Sequence, residues 1–213
     1  RGLGDVYKRQ YQACMTALEM NDKLELLRNK WRSEEGWPEI VHNMQHRIGL
    51  SSGEMVTGNM GSTMRMNYTM MGDTVNIAAR LEASAKQYGI YIQVNESTYN
   101  STKDKFEWRF LDYVKVKGKQ LPVKVYELIG EKEKIKDTDK VAVDAFTHAQ
   151  ELYFNQDWEI ALKYFESSNL LEDDFDGRNT NPSEVFIKRC NYFIVNPPKR
   201  DWNGVWRLSL IHI

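Results

Sequence analysis

The chain has 213 residues, which is the length of one or two domains, and 41% hydrophobic with 12% aromatic residues is enough for folded cores. Its formal net charge of −1 provides no basic field, so the composition does not favour nucleic acid as a partner. Cys14 and Cys190 lie far apart and outside any metal-ligand spacing, which suits a reducing compartment and predicts buried, inert thiols.

Residues 1–10 and 208–213 are expected not to belong to the natural protein. They contain DVYKRQ and LSLIHI, and one codon choice for the first is the reverse complement of one for the second. Such a matched inverted pair resembles a sequencing adapter read through as coding sequence, so both ends are left out of fold prediction. Residues 11–207 are then expected to be a fragment of a longer protein.

The first elements in chain order are a helix and a hairpin. Residues 11–34 carry apolar side chains near helical spacing, and Gly36 and Pro38 close the segment. The runs MQHRIGLSSG and EMVTGNMG are strand-like and meet at Ser-Ser-Gly, which predicts a β-hairpin. The segment NYTMMGDTVNIAARLE, residues 67–82, follows and contains a second predicted helix built from small and apolar residues, with Asp73 at its start and Thr69 before it.

The next elements predict a sheet. IYIQV is typical of a strand, a short helix is expected around residues 96–101, and FEWRFLDYVKVKG and PVKVYELIG flank GKQLP as a second hairpin. Helices that interleave with antiparallel hairpins favour an α+β fold, with helices packed on a mostly antiparallel sheet.

The C-terminal part changes character. Residues 131–139 are almost entirely charged and predict a linker or an exposed helix start, and residues 140–207 predict a helical extension. An Asn-Gln-Asp turn at residues 155–157 separates two helices with alternating small and large residues, which resembles a single tetratricopeptide repeat. One such unit cannot bury its own face, so it must dock on a neighbour, and the helix containing VFIKRCNYFIV is the candidate.

Asn76 and Arg80 are two polar residues in the predicted helix within residues 67–82, and their presence among small and apolar neighbours needs an explanation. At i and i+4 they share one helix face. An amide beside a guanidinium in an apolar frame suits recognition of a sugar oxygen and a phosphate. A solvated helix face without function is the alternative, and periodicity alone leaves both interpretations open.

A longer pattern carries a family resemblance. The glycine spacing in residues 47–61, the core G-D-T-V-N-I-A-A-R and the later V-K-V-K-G-K together resemble the C-terminal two thirds of a class III adenylyl/guanylyl cyclase catalytic domain, over residues 11–130. The resemblance implies a ferredoxin-like cyclase domain that lacks its N-terminal part here. It also implies a reaction in which the 3′-hydroxyl of a nucleoside triphosphate attacks the α-phosphorus and expels pyrophosphate.

The resemblance assigns a role to each of four positions. It implies that Asn76 orients the ribose and that Arg80 stabilises charge on the α-phosphate in the transition state. It implies that Lys117 contacts the β- and γ-phosphates and that Arg47 is a second phosphate-contacting arginine. Without the family, Lys117 is one cation in a basic loop and Arg47 is a residue on a strand surface.

Thr69 bears on the choice of base. In the family the residue after the tyrosine of N-Y-T helps to recognise the purine, and threonine there resembles the bacterial and soluble branch that uses ATP. A hydroxyl can both donate and accept a hydrogen bond, so Thr69 alone does not exclude GTP. The family's second base-recognising residue is expected upstream of this chain. Lys there would favour adenine, and Glu would favour guanine.

The resemblance also implies parts that this sequence lacks. Family members hold two Mg²⁺ or Mn²⁺ ions with two aspartates, which are expected upstream of residue 11, and Asp73 does not replace them because it lies at a helix start. The chain alone is therefore predicted to be inactive. The family's sites lie between two subunits, so the resemblance implies a homodimer in which Arg47 comes from one chain and Thr69, Asn76, Arg80 and Lys117 from the other.

These inferences predict an adenylate cyclase that makes cyclic AMP and pyrophosphate from ATP for intracellular signalling. Its catalytic portion is expected in the cytoplasm, with membrane attachment only through segments outside this chain, because no apolar run here approaches the ~20 residues of a bilayer span. The alternatives are a guanylate cyclase, a catalytically silent cyclase-like module for dimerisation or regulation, and a scaffold whose helical extension binds a protein partner.

Overall fold

The computed structural model describes residues 4–62, 64–114, 122–172, 178–199 and 202–206. The first seven elements are α1 (Gly4–Ser33), α2 (Glu39–His42), β1 (Ile48–Leu50), β2 (Val56–Ser62), β3 (Arg65–Met71), α3 (Asp73–Tyr88) and β4 (Ile92–Asn95). The next six are α4 (Glu96–Thr102), β5 (Phe106–Val114), β6 (Val123–Glu131), α5 (Asp137–Phe154), α6 (Trp158–Asn169) and α7 (Pro182–Val195). Within these ranges no helix combines the length and the apolarity that a membrane span requires.

The main sheet confirms the predicted α+β class. Its strand order is β1-β4-β6-β5, in which β1 and β4 are parallel and the other two pairings are antiparallel. The predicted hairpin of β5 and β6 is present, with Trp108 opposite Leu128, while residues 115–121 of its connection lie outside the described ranges. The predicted strand at β4 and the short helix at α4 are present as well.

The predicted hairpin at residues 44–61 is wrong. β1 pairs with β4 instead, and β2 forms a separate two-stranded ribbon with β3, where Gly58 lies opposite Thr69. The Ser-Ser-Gly segment does not reverse the chain, because its polar groups are bound elsewhere. Asn95 at the end of β4 donates from Nδ2 to Ser51 Oγ (3.0 Å) and accepts from the Ser52 amide (3.2 Å). The bend therefore leads the chain out of the sheet.

Two helices cover opposite faces of this sheet. Side chains alternate across a strand, so Tyr126 and Leu128 of β6 face one way and Val125 the other. The first two pack in a cluster with Cys14 and Ala17 of α1, and Val125 packs in a cluster with the buried stripe of α3. The thiol of Cys14 is buried, as predicted, and burial raises its pKa to about 11.

The extension folds as three helices. α5 and α6 form a helical hairpin around the predicted turn, and α7 packs on α6 as predicted. Cys190 of α7 is buried in their common core, where burial raises its pKa to about 12. The other members of that core are Phe146, Ala149, Tyr153, Ala161, Phe165, Phe186 and Phe193. The resemblance of this unit to a tetratricopeptide repeat stays a prediction.

Gly49 in β1 sets the distance between the sheet and α3. A Cβ atom at this position would lie 2.1 Å from the Ala78 carbonyl oxygen and 2.5 Å from the Glu82 amide nitrogen. Both are backbone atoms of a packed helix, so they cannot move without displacing α3. We therefore expect Gly49→Ala to lower the free energy of unfolding by about 1–3 kcal/mol, measured by urea denaturation.

Gly58→Ala is the matched control, because Gly58 also lies in a strand but a Cβ there would meet nothing within 4 Å. We expect a change within about 0.5 kcal/mol for this surface position. Equal destabilisation by the two substitutions would contradict the close approach of α3 at Gly49.

Candidate active site

Asn76 and Arg80 lie on the exposed side of α3. The helix starts at Asp73 after the N-cap Gly72, so Asp73 is at the helix start, as expected. Its buried residues, Ile77, Leu81, Ala85 and Tyr88, recur at helical spacing and face the sheet. Asn76 and Arg80 fall outside that stripe and are both exposed, about 6 Å apart along the helix axis. The two side chains can therefore approach one ligand from the same side.

Thr69 lies on β3, shortly before the chain turns into α3. Its side chain is exposed, and its ribbon partner in β2 is Gly58. The start of α3 is tied to the segment before β2, because the Thr74 hydroxyl donates to the Glu54 carbonyl (2.9 Å). This contact fixes the start of α3 against the segment that leads into the ribbon, and Thr69, Asn76 and Arg80 are each exposed on these consecutive elements.

Arg47 precedes β1 and lies against the same helix. Its Nε is 3.5 Å from Glu82 Oε1, and the two side chains are 37% and 45% exposed. An exposed pair of this kind contributes at most about 1 kcal/mol to stability. The pair therefore leaves Arg47 available to exchange Glu82 for a phosphate at small cost.

Lys117 lies outside the described residues, so its predicted role stays a prediction. Metal ligands are a separate question. In the described ranges, no three His, Cys, Asp or Glu side chains are grouped so that they could hold a metal ion. Glu82, the carboxylate beside Arg47, is engaged in that ion pair. The described residues therefore do not fit the pair of ions that the resemblance implies.

An apolar surface beside the site was missed in the sequence. All seven residues of β3 are exposed, and so are most of β2. We call this the ribbon surface, and its large apolar members are Val56, Met64, Met66, Tyr68, Met70 and Met71. Tyr68 is 74% exposed and Met64 is 96% exposed. Met66, Tyr68 and Met70 alternate along β3 and share one face of the ribbon, and Val56 and Met71 are paired on the other face. Exposed apolar side chains on both faces favour an interaction site, and the methionine-rich run MGSTMRMNYTMM was the sequence signal for it.

A comparison with protein families gives one match to this part of the chain. Residues 3–130 match the model described as the adenylate and guanylate cyclase catalytic domain. The match covers more than half of the 213 residues and includes β1, the ribbon, α3 and all of the main sheet except the last residue of β6.

Curated relatives agree with that match. The chain is 36% identical over 118 residues to adenylate cyclase 1 of Rhizobium meliloti, which covers 55% of this chain and 17% of the relative. It is 31% identical over 147 residues to the terminal-differentiation specific adenylate cyclase of Dictyostelium discoideum, which covers 67% of this chain and 7% of that protein. The chain thus spans less than a fifth of the length of these two relatives.

Among solved structures, a bacterial light-regulated adenylyl cyclase is similar at 29% sequence identity and a TM-score of 0.49. The similarity covers 57% of this chain and 34% of that one.

Because the side chain of Asn76 is exposed, we expect that it can be removed without lowering the stability of the fold. We expect Asn76→Ala to change the free energy of unfolding by less than about 0.5 kcal/mol, because Asn76 is exposed and alanine favours a helix. Ile77→Ala, one position along, removes a side chain that is 6% exposed and should cost about 2–5 kcal/mol. Urea denaturation of both variants checks this, and a large loss for Asn76→Ala would place that side chain in the core.

Proposed function

We propose that this chain, which belongs to the adenylate and guanylate cyclase catalytic domain family, is part of an adenylate cyclase that converts ATP to cyclic AMP and pyrophosphate. The observation that carries the proposal is that Thr69, Asn76 and Arg80 are all exposed on the consecutive elements β3 and α3. The curated relatives named above, which are adenylate cyclases, support the choice of ATP.

Each of these side chains has a chemical role in the proposal. Attack of the 3′-hydroxyl on the α-phosphorus builds negative charge on the phosphate oxygens, and the guanidinium of Arg80 donates to them. A positioned donor of this kind contributes about 3–4 kcal/mol to transition-state stabilisation. The amide of Asn76 holds the ribose so that the hydroxyl stays aligned with the phosphorus. Thr69 hydrogen-bonds to the base, and Lys117 and Arg47 bind the remaining phosphates.

The site needs a second surface to complete it. Asn76 and Arg80 are exposed in this chain, whereas charge stabilisation is effective only where water is excluded. The ribbon surface next to them is apolar and open. We therefore propose a homodimer that covers the ribbon surface, with two equivalent sites, each using Arg47 of one chain and Thr69, Asn76, Arg80 and Lys117 of the other.

The metal ions of the reaction are proposed to be held by carboxylates other than those described here. Two Mg²⁺ or Mn²⁺ ions would activate the 3′-hydroxyl and neutralise the leaving group. Because the described residues do not fit such a pair, we expect this chain to make no cyclic nucleotide on its own.

Guanylate cyclase activity is the second candidate. It is favoured by the hydroxyl of Thr69, which is exposed and can donate or accept, and so can pair with either purine. A catalytically silent cyclase-like module is the third candidate, and it predicts that one or both of the metal-binding aspartates expected upstream are replaced.

The test is cyclic nucleotide synthesis by the full-length protein with Mn²⁺ and either ATP or GTP. We expect cyclic AMP from ATP, and we expect Arg80→Ala to lower kcat by about 10²–10³ because it removes one transition-state donor. Lys86→Ala is the matched control, since Lys86 is an exposed cation near the other end of the same helix. A full-length protein that makes no cyclic nucleotide from either substrate would contradict the proposal, and cyclic GMP alone would establish the second candidate.

A further inference from the structure

The C-terminal end of α3 is bound to the helical extension through one buried carboxylate. Asp112 of β5 is 1% exposed. Its Oδ2 accepts a hydrogen bond from the hydroxyl of Tyr88, the last residue of α3, at 2.8 Å. The same oxygen accepts from Nη1 of Arg189 in α7 at 2.7 Å. One atom of the sheet thus joins the helix of the candidate site to a helix of the extension.

The guanidinium of Arg189 has a fixed orientation in this contact. Its central carbon lies 4.7 Å from the ring centre of Phe186, 5.1 Å from that of Trp206 and 5.9 Å from that of Tyr88. Rings on these sides hold the planar group by cation–π contacts. Burial and the charge of Asp112 raise the pKa of Tyr88, so its hydroxyl stays protonated and remains a donor.

A second contact closes the end of the same helix. Gly89, the C-cap of α3, has φ of 61°, and its carbonyl accepts from Nε of Arg178 at 3.0 Å. A cation at this position satisfies a terminal carbonyl and complements the helix dipole. A Cβ atom at Gly89 would lie 1.6 Å from the Thr180 carbonyl oxygen, so the segment at Arg178 and Thr180 packs directly on the helix end.

These contacts lie at one end of α3 and the candidate site lies at the other. Tyr88 follows Arg80 by eight positions and Asn76 by twelve, which is roughly 12 and 18 Å along the axis. Ala85 and Tyr88 are fully buried, whereas Asn76 and Arg80 are exposed. A shift or rotation of the buried end is therefore transmitted along the helix to both exposed side chains.

We propose that the helical extension positions α3, and that Tyr88, Arg178 and Arg189 are positioning residues for Asn76 and Arg80. The expected effect on catalysis rests on the proposed function, whereas the expected effect on the position of α3 rests on the contacts described above. The extension then sets the position of Arg80 by holding the C-terminal end of α3. A partner that bound the extension would change activity by the same route.

The catalytic test uses the full-length protein with Tyr88→Phe and with Arg178→Met. Tyr88→Phe removes one hydrogen bond at the end of α3, and Arg178→Met removes another together with the ion pair of Arg178 and Glu172. Both leave the pair of Asp112 and Arg189 in place. We expect kcat to fall about tenfold or more with KM for ATP changed less than about twofold, because a displacement of up to 1 Å at a reacting group costs as much as 10²-fold. Arg178→Lys, which keeps a donor for the Gly89 carbonyl, should recover most of kcat.

Ala161→Gly is the matched control. Ala161 is buried in α6, so the substitution weakens the extension without contacting α3. Equal loss of kcat in Ala161→Gly and Tyr88→Phe would overturn the positioning role and indicate general loss of stability.

A second measurement does not depend on cyclase activity. Hydrogen–deuterium exchange of this chain should show faster exchange at the backbone amides of residues 76–80 in Tyr88→Phe and Arg178→Met than in Ala161→Gly. Unchanged exchange there would overturn the inference. If the full-length protein makes no cyclic nucleotide while the exchange rates change as expected, the proposed function fails and the positioning of α3 stands.

Discussion

The pairing of Asp112 with Arg189 is the interaction on which the rest of the structure depends. Both carboxylate oxygens of Asp112 are used, because Oδ1 accepts from the Tyr113 amide (2.8 Å) while Oδ2 accepts from Tyr88 and Arg189. Removing one partner of a buried ion pair leaves a charge without compensation, which costs about 3–5 kcal/mol. The sheet therefore cannot bury Asp112 at low cost unless α7 is docked. The cyclase-like part and the extension therefore stabilise each other through this contact.

A second buried network makes the docking specific. Arg109 of β5 is 5% exposed and binds Glu172, which lies just after α6. The Nε of Arg109 lies 3.0 Å from Oε2 of Glu127 in β6. Burial raises the pKa of Glu127 although Arg109 opposes it. Glu172 also accepts from Arg178 at 3.2 Å. Purely apolar surfaces tolerate sliding, but these charges find partners in only one arrangement, so the network fixes where the extension lies on the sheet.

The elements predicted correctly from the sequence are those that local patterns determine. The helices and the hairpin of β5 and β6 follow from periodicity and nearby turns, whereas β1 pairs with a strand some forty residues away, and its Ser-Ser-Gly bend is set by Asn95. Asn76 and Arg80 were found through the family motif, because periodicity alone does not distinguish them from a solvated face. Arg109, Asp112 and Arg189 resemble ordinary surface charges in the sequence, and only the tertiary structure brings each of them to its buried partner.

The ribbon surface is adaptable whereas α3 is rigid, and the proposed chemistry needs both properties. The ribbon surface is rich in methionine, whose unbranched side chain adapts to whatever covers it, so a second subunit can exclude water without exact complementarity. α3 is instead held by a buried stripe and by the charges at its C-terminal end. A transition state tolerates little error in the position of a donor, whereas exclusion of water tolerates much. The rigid element therefore carries Asn76 and Arg80, and the adaptable one suits the proposed contact with a second subunit.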